Sequence, residues 1–302
     1  MRLTSVFQVK SLHLYIIVLK NITRMRHCIF LFLTLFLFIS QIHAATTDTL
    51  HIYSPAMDRK IKVNVVVPKD VKPNSPTVYL LHGYSGNADT WLIIKPELKD
   101  YADQHQLIIV CPDGENSWYW DSPLNPRSQF ETFISKELVE YIDSHYPTRP
   151  TKFARAIAGL SMGGHGAMWL SMRHPDVFGA AGSMSGGVDI RPFPDNWEMK
   201  KQIGEKSTYP ALWEQHTAIN QINRIKPGDV DMIICCGYDD FFFQVNCKFH
   251  EKLLAHGIQH EFLVNAGAHT PAYWAHVIDY EMLFFIKYFQ NHKQLAFSKG
   301  KN

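Results

Sequence analysis

Short apolar runs alternate with longer segments of helical period along most of the chain after residue 45. The runs are bounded by Gly, Pro, Asn and Asp, which is typical of buried strands. The first two form an antiparallel opening, and the rest alternate with helices. This pattern predicts an α/β fold whose mostly parallel central sheet carries helices on both faces. Strands are predicted near residues 50–53, 60–67, 77–81, 107–111, 153–158, 178–184, 230–236 and 260–265, and helices near 88–104, 129–144, 162–174, 241–256 and 272–290.

Size and charge favour one catalytic domain. The chain has 302 residues, is 46% hydrophobic and carries a net charge of +2, with acidic and basic residues interspersed. Such a chain can bury a sizeable core, and its charge gives no reason to expect a nucleic acid partner. We predict a single domain over residues 46–295, followed by a polar tail at 296–302.

The strongest chemical motif is the segment from Gly159 to Gly163, which reads G-x-S-x-G with Ser161 at its centre. An apolar run precedes it and a helix-compatible run follows it. A strand, a sharp turn holding the serine and a helix make a nucleophile elbow. The alternative is a glycine-rich turn whose serine only caps the helix.

A serine nucleophile needs a base and an acid that orients the base. Asp239 and Asp240 follow the predicted strand at 230–236, and His269 lies in the loop after the strand at 260–265. Because the carboxyl ends of parallel strands meet at one edge of a sheet, Ser161, one of the two aspartates and His269 are expected to converge. Their order along the chain is that of an α/β-hydrolase.

The loop after the strand at 77–81 is a candidate for stabilising an oxyanion. It begins His82-Gly83-Tyr84. In this fold the donors come from the residue after the nucleophile and from this loop, which selects the backbone N–H groups of Met162 and Tyr84. His82 is predicted to contact substrate. Alone, the His-Gly pair would indicate only a turn.

Together these motifs resemble the esterase D-like branch of the α/β-hydrolases, which includes S-formylglutathione hydrolases, tributyrin-type, feruloyl and acetyl-xylan esterases and mycolyltransferases. The resemblance spans residues 50–289. It implies an α/β-hydrolase fold. It also selects Asp240 over Asp239 as the acid, because in this family the acid lies three residues after a glycine, here Gly237. No cofactor or metal is expected. The matching segments are 82–86, Pro112-Asp113-Gly114, 159–167, 236–241 and 267–270.

The resemblance and the motifs together predict an exported serine esterase that works through an acyl-enzyme. Its substrate is expected to be a small-molecule or oligosaccharide ester, with short-acyl, acetyl or feruloyl groups on carbohydrate. One alternative is acyl transfer to a sugar or lipid alcohol. Another is a catalytically silent hydrolase fold that binds carbohydrate. The motifs do not identify the acyl or alcohol group or the oligomeric state.

Aromatic side chains are dense in loops predicted at the same sheet edge. Trp118 and Trp120 lie in a loop rich in Asn, Ser and Pro, so we expect them to be exposed and to hold substrate. Residues 241–243 and the Tyr273-Trp274 pair are predicted instead to anchor their helices in the core. Residues 187–228, rich in Pro, Trp and charge, are predicted to be a small insertion over the site.

The N-terminus has the features of a secretory signal. Basic residues near Arg24 and Arg26 precede an apolar run at 28–39, and small residues follow at Ala44 and Ala45. Met25 is predicted to be the true start, with residues 1–24 an upstream extension. A secreted or periplasmic protein without stable membrane contact is expected. A membrane-tethered form is the alternative.

Cysteines and histidines do not form a recognisable metal motif. The mature cysteines Cys111, Cys235, Cys236 and Cys247 are expected to be free thiols, with a Cys236–Cys247 bridge as the alternative. His165, four residues after Ser161, is expected to pack on the first turns of its helix.

Overall fold

The computed structural model describes Lys20, residues 23–25 and residues 45–299, with side chains as far as residue 293. The described residues from 45 onward belong to one compact unit, Ala44–Asn302. Apart from residue 25, the predicted signal segment at 25–44 lies outside the described residues. Among the described residues, no helix has the length and apolarity needed to cross a membrane.

One eight-stranded sheet organises the unit, in the order β1-β2-β4-β3-β5-β6-β7-β8. β1 and β2 are antiparallel to each other, β2 is antiparallel to β4, and the remaining neighbours are parallel. All eight predicted strands are present. The largest difference is at β1, which begins four residues before its predicted start. The sequence does not reveal these residues because most of them are exposed and form no apolar run. The strands are β1 Thr46–Ser54, β2 Arg59–Val67, β3 Thr77–Leu81, β4 Ile108–Pro112, β5 Arg155–Leu160, β6 Ala180–Met184, β7 Asp231–Gly237 and β8 His260–Asn265.

Helices follow the predicted segments with two informative differences. The segment at 88–104 is split in two, because Pro96 cannot continue a helix. The third helix contains a π-helical turn, Phe133–Glu137. The helices are α1 Thr90–Ile94, α2 Leu98–His105, α3 Phe130–Thr132 continuing through that turn to Leu138–His145, α4 Met162–Arg173, α5 Met199–Ile203, α6 Pro210–Gln215, α7 Phe243–Ala255 and α8 Pro271–Lys299.

The core lies on both faces of the sheet, as the alternating pattern predicts. In β3, Tyr79 and Leu81 belong to one buried cluster and Val78 and Leu80 to the other. The first cluster includes side chains of α3, α4 and α7, and the second includes side chains of α2 and α8. Since every residue of β3, β4, β5 and β6 is buried, the centre of the sheet is a rigid support for the loops at its edge.

The insertion at 187–228 contains α5, α6 and the 3₁₀ helix Ala218–Arg224. Trp213 anchors it, because the indole is fully buried and its N–H donates to the carbonyl oxygen of Gly204 at 2.9 Å. The backbone N–H of Ile219 donates to Val188, which ties the end of the insertion to its beginning. The periodicity of the sequence does not reveal these short helices because each has only one or two turns.

Candidate active site

Ser161 lies in the sharp turn between β5 and α4. Its backbone has φ 55° and ψ −114°, a conformation that costs a non-glycine residue about 1–3 kcal/mol. Close approach explains the glycines on either side. A Cβ on Gly163 would lie 2.3 Å from the carbonyl oxygen of Leu81, and one on Gly159 would lie 2.4 Å from the backbone of Gly163. The hydroxyl makes no capping hydrogen bond to α4, so the capping alternative is wrong.

His269 joins Ser161 to Asp240. Its Nε2 lies 2.9 Å from Ser161 Oγ, and its Nδ1 lies 2.9 and 3.1 Å from the two carboxylate oxygens of Asp240. A carboxylate can only accept, so the ring proton is on Nδ1 and donates to Asp240. Nε2 is then free to accept the hydroxyl proton of Ser161. The structure therefore brings together the three side chains predicted to converge.

Asp240 is the aspartate that points into the site. Its side chain is fully buried, and one oxygen also accepts the backbone N–H of Phe242 at 2.8 Å. Two donors therefore hold the carboxylate in place. Asp239 is exposed at the surface of the same turn. The geometry agrees with the register that the resemblance implies.

The backbone N–H groups of Tyr84 and Met162 flank the serine. The Tyr84 loop is close, because a Cβ on Gly83 would lie 3.3 Å from Ser161 Cβ. Met162 is the first residue of α4, where the N–H groups are unpaired and the helix dipole is positive. Within the described residues, neither N–H donates a hydrogen bond to another protein group. Both can therefore donate to an oxyanion formed beside Ser161.

His82 does not face substrate, so that prediction is wrong. The side chain is 1% exposed. Its Nδ1 donates to the carbonyl oxygen of Gly83 at 2.7 Å, and its Nε2 accepts the N–H of Gly114 at 2.8 Å. Both ring nitrogens are occupied inside the protein. His82 instead fastens the Tyr84 loop to the loop after β4.

Trp118 and Trp120 are buried rather than exposed, which corrects the prediction that they hold substrate. Their exposures are 1% and 0%, and their rings stack on each other with centroids 5.7 Å apart. The indole N–H of Trp120 donates to His165 Nε2 at 2.9 Å. The polar residues around them suggested a wet loop, but Ser117 uses its hydroxyl to accept the N–H of Tyr119 inside the protein.

His165 packs inside the protein, as predicted. It is fully buried, and its Nδ1 donates to the carbonyl oxygen of Gly187 at 3.0 Å. Burial lowers the pKa of His165 to about 3, so the ring is neutral. It joins Trp120 to the start of the insertion and is not positioned as a second base.

Phe241 was predicted to lie in the core, but it lies exposed at the site. It is 51% exposed, and its ring lies against that of His269 with centroids 4.3 Å apart. The prediction of a core anchor is confirmed for Phe242, Tyr273 and Trp274, which are buried. Adjacent residues in a tight turn point in different directions, which an unbroken run of phenylalanine does not show.

The insertion reaches the site through Trp197. Its indole stacks on Phe241 with centroids 5.7 Å apart and an interplanar angle of 19°. No pattern in the sequence indicated this residue, because the insertion has no clear period. The prediction that the insertion lies over the site is supported by this contact.

The cysteines of the described residues form no disulfide, and the potential metal ligands there form no metal-binding group. In the described part of the chain, Cys111, Cys235, Cys236 and Cys247 are free thiols, so the alternative Cys236–Cys247 bridge is not formed. Within the same residues, no group of three or more His, Cys, Asp or Glu side chains could hold a metal ion.

Comparison with known proteins agrees with this geometry. Residues 54–285 match the Esterase family, described as "Putative esterase". The chain is 24% identical over 254 residues to an acetyl esterase of Caldicellulosiruptor saccharolyticus, covering 74% of this chain and 92% of that protein. It is 26% identical over 265 residues to the diacylglycerol acyltransferase/mycolyltransferase Ag85A of Mycobacterium tuberculosis, covering 75% and 77%.

Solved structures of esterases also resemble this chain. A ferulic acid esterase superposes with a TM-score of 0.67 at 27% identity, covering 81% of this chain and 98% of that one. The family match spans most of the described unit and includes the serine, the acid and the histidine. The chain therefore belongs to the Esterase family and has the α/β-hydrolase fold.

Proposed function

We propose that this protein is a serine carboxylesterase that hydrolyses its substrate through an acyl-enzyme. The observation that carries the proposal is the continuous hydrogen-bonded path from Ser161 Oγ through His269 to the buried Asp240. The Esterase family and the acetyl esterase relative support ester bonds as the target.

In this proposal each residue has one role. Ser161 Oγ attacks the ester carbonyl carbon while His269 Nε2 accepts its proton. The carbonyl oxygen becomes an oxyanion that accepts hydrogen bonds from the N–H groups of Tyr84 and Met162. His269 then donates the proton to the leaving alcohol. Asp240 remains ionised, holds the ring tautomer and stabilises the imidazolium.

Deacylation repeats these steps with water. Water attacks the acyl carbon as His269 accepts a proton, and the acid leaves as Ser161 regains its hydrogen. Acyl transfer would differ only in that the alcohol of a sugar or lipid replaces water. The mycolyltransferase relative favours this as the second candidate function. Product analysis with a sugar acceptor present would separate hydrolysis from transfer.

We propose acetyl or other short-acyl esters, or feruloyl esters, on carbohydrate as the substrate. The acetyl esterase and ferulic acid esterase relatives support these classes. Export remains a further proposal that rests on the N-terminal segment. N-terminal sequencing of the native protein tests it: a start at Ala45 or Thr46 supports cleavage, and intact residues 1–44 in a membrane fraction would contradict it.

Replacing the nucleophile tests the proposal. Ser161→Ala is expected to lower kcat on p-nitrophenyl acetate by about 10⁴–10⁶-fold, because the three side chains act as a unit. Its thermal unfolding should match the unchanged protein. A folded variant that keeps more than a few per cent of the original kcat would overturn the assignment.

A further inference from the structure

An exposed aromatic surface lies directly beside the proposed base. Phe241 is half exposed although its ring contacts His269, and Trp197 continues the surface away from the histidine. The rings of Phe241 and Trp197 stack and form one aromatic cluster. We call these two side chains the aromatic platform. Phe241 is exposed and Trp197 is partly buried, and an exposed aromatic ring beside reacting groups is typical of a binding surface.

The platform is held from behind by buried groups. Phe242 is buried and its ring lies 5.1 Å from that of Trp197. The indole N–H of Trp118 donates to the carbonyl oxygen of Trp197 at 3.4 Å. Trp118, which was expected to bind substrate, therefore supports Trp197.

The backbone of the platform is strained. Trp197 has φ 49° and Glu198 has φ 54°, both in the left-handed region without being glycine. Such a backbone conformation is unfavourable for a residue other than glycine and persists only where its surroundings enforce it. Burial and the nearby Glu198 carboxylate raise the pKa of Tyr84. Glu198 therefore lies close to the loop that contains Tyr84.

The placement of the reacting atoms determines which part of the ester lies near the platform. The acyl carbon bonds to Ser161 Oγ, and its oxyanion points to the N–H groups of Tyr84 and Met162. The leaving oxygen must then face His269 Nε2 to receive its proton. The alcohol portion therefore lies on the His269 side of the serine. Phe241 contacts the ring of His269 and is therefore a neighbour of the group that protonates the alcohol.

We propose that the aromatic platform, Phe241 and Trp197, binds the alcohol portion of the substrate, and that this alcohol carries a ring with a flat apolar face. This deepens the proposed esterase function and rests on it. Sugars and phenols both present such a face, and both stack on aromatic side chains.

Kinetics on acetate esters test the proposal, because every acetate forms the same acetyl-enzyme. The intrinsic reactivity of each leaving group is the same for every variant, so a change in a ratio of kcat/KM values between a variant and the unchanged protein reports how the alcohol portion is held during acylation. We would measure phenyl acetate and an acetylated methyl xyloside, each as a ratio to ethyl acetate. Phe241→Ala is expected to lower at least one of these ratios about three- to tenfold. The ratio that falls further identifies the ring as a phenol or a sugar.

A matched control separates the platform from general surface effects. Tyr238 lies in the same turn and is 54% exposed, but it makes no ring contact with His269 or Trp197. Tyr238→Ala is expected to keep both ratios. Trp197→Ala should lower the same ratio as Phe241→Ala, and the double variant should lose less than the product of the two losses, because the rings act together.

Three outcomes would overturn the proposal without touching the esterase assignment. Equal losses on ethyl acetate and the ring acetates would mean that Phe241 only positions His269. A fall in the ratio of ethyl phenylacetate to ethyl acetate, with phenyl acetate unaffected, would place the ring on the acyl side. Unchanged ratios in a folded variant would remove the platform from recognition. Absence of hydrolysis of every ester by the unsubstituted protein would instead contradict the proposed function.

Discussion

At the scale of single residues, the site depends on backbone positions that only part of the sequence pattern reveals. Ser161 and His269 could be predicted from the order of motifs after strands. That order leaves Asp239 and Asp240 open, because both follow the same strand, and only the resemblance to the esterase family selected Asp240. Packing decides it. A Cβ on Gly237 would lie 2.2 Å from the carbonyl oxygen of Gly267, so the two loops meet closely and Asp240 turns toward the histidine.

Asp240→Asn is expected to lower kcat by about 10⁴-fold, because an amide that donates to His269 favours the wrong tautomer. Asp239→Asn is the matched control, since the exposed Asp239 makes no contact with His269, and it should keep nearly full activity. Steady-state kinetics on p-nitrophenyl acetate compares them. A larger loss for Asp239→Asn, with both proteins folded, would show that the acid has been assigned one residue too late.

At the scale of elements, the strands could be predicted from the sequence, but the direction in which the side chains of a loop point could not. The β-strands are recognisable as apolar runs, whereas residues 116–121 of the loop after β4 contain three polar and three aromatic residues. Trp118 and Tyr119 take left-handed φ values of 58° and 61° and turn their rings inward. Local composition predicts that a loop exists but not which side chains tertiary contacts will bury. The two side chains of the proposed aromatic platform were therefore identified only from the structure.

Helix α8 carries an acidic residue where the helix faces the sheet. Glu281 is fully buried, and within the described residues neither carboxylate oxygen has a hydrogen-bond partner apart from the weak thiol donor of Cys235. Burial raises the pKa of Glu281 well above its ordinary value. The folded protein therefore keeps a proton that the unfolded chain loses near pH 4.5.

This proton makes stability depend on pH. The contribution of protonated Glu281 is complete below about pH 4.5 and is lost as the pH rises toward the folded-state pKa, by at most about 1.4 kcal/mol per pH unit. Glu281→Gln cannot ionise and has nearly the same shape. Its free energy of unfolding, relative to the unchanged protein, should increase from pH 5 to pH 8 in urea titrations. Parallel curves for the two proteins over that range would contradict a buried protonated acid.

At the scale of the whole molecule, the fold was largely predictable because each local preference agrees with the global arrangement. Apolar runs, helical periods and turn residues all favour one doubly covered sheet, and the reactive residues follow the ends of β3, β5, β7 and β8. That sheet edge is where ligands bind in open α/β folds. The aromatic platform escaped prediction because it joins residues from the insertion and the β7 turn, a contact between distant segments that no local pattern encodes.

The central claim is that Ser161 becomes acylated with the help of His269. Its most direct test is mass analysis of the protein after rapid acid quench during turnover of p-nitrophenyl acetate, followed by peptide mapping. An acetyl group on the peptide that contains Ser161, absent in Ser161→Ala and formed much more slowly in His269→Ala, is the predicted result. A folded Ser161→Ala protein that still turns over the ester, or an acetyl group that accumulates on another residue at the catalytic rate, would contradict the account.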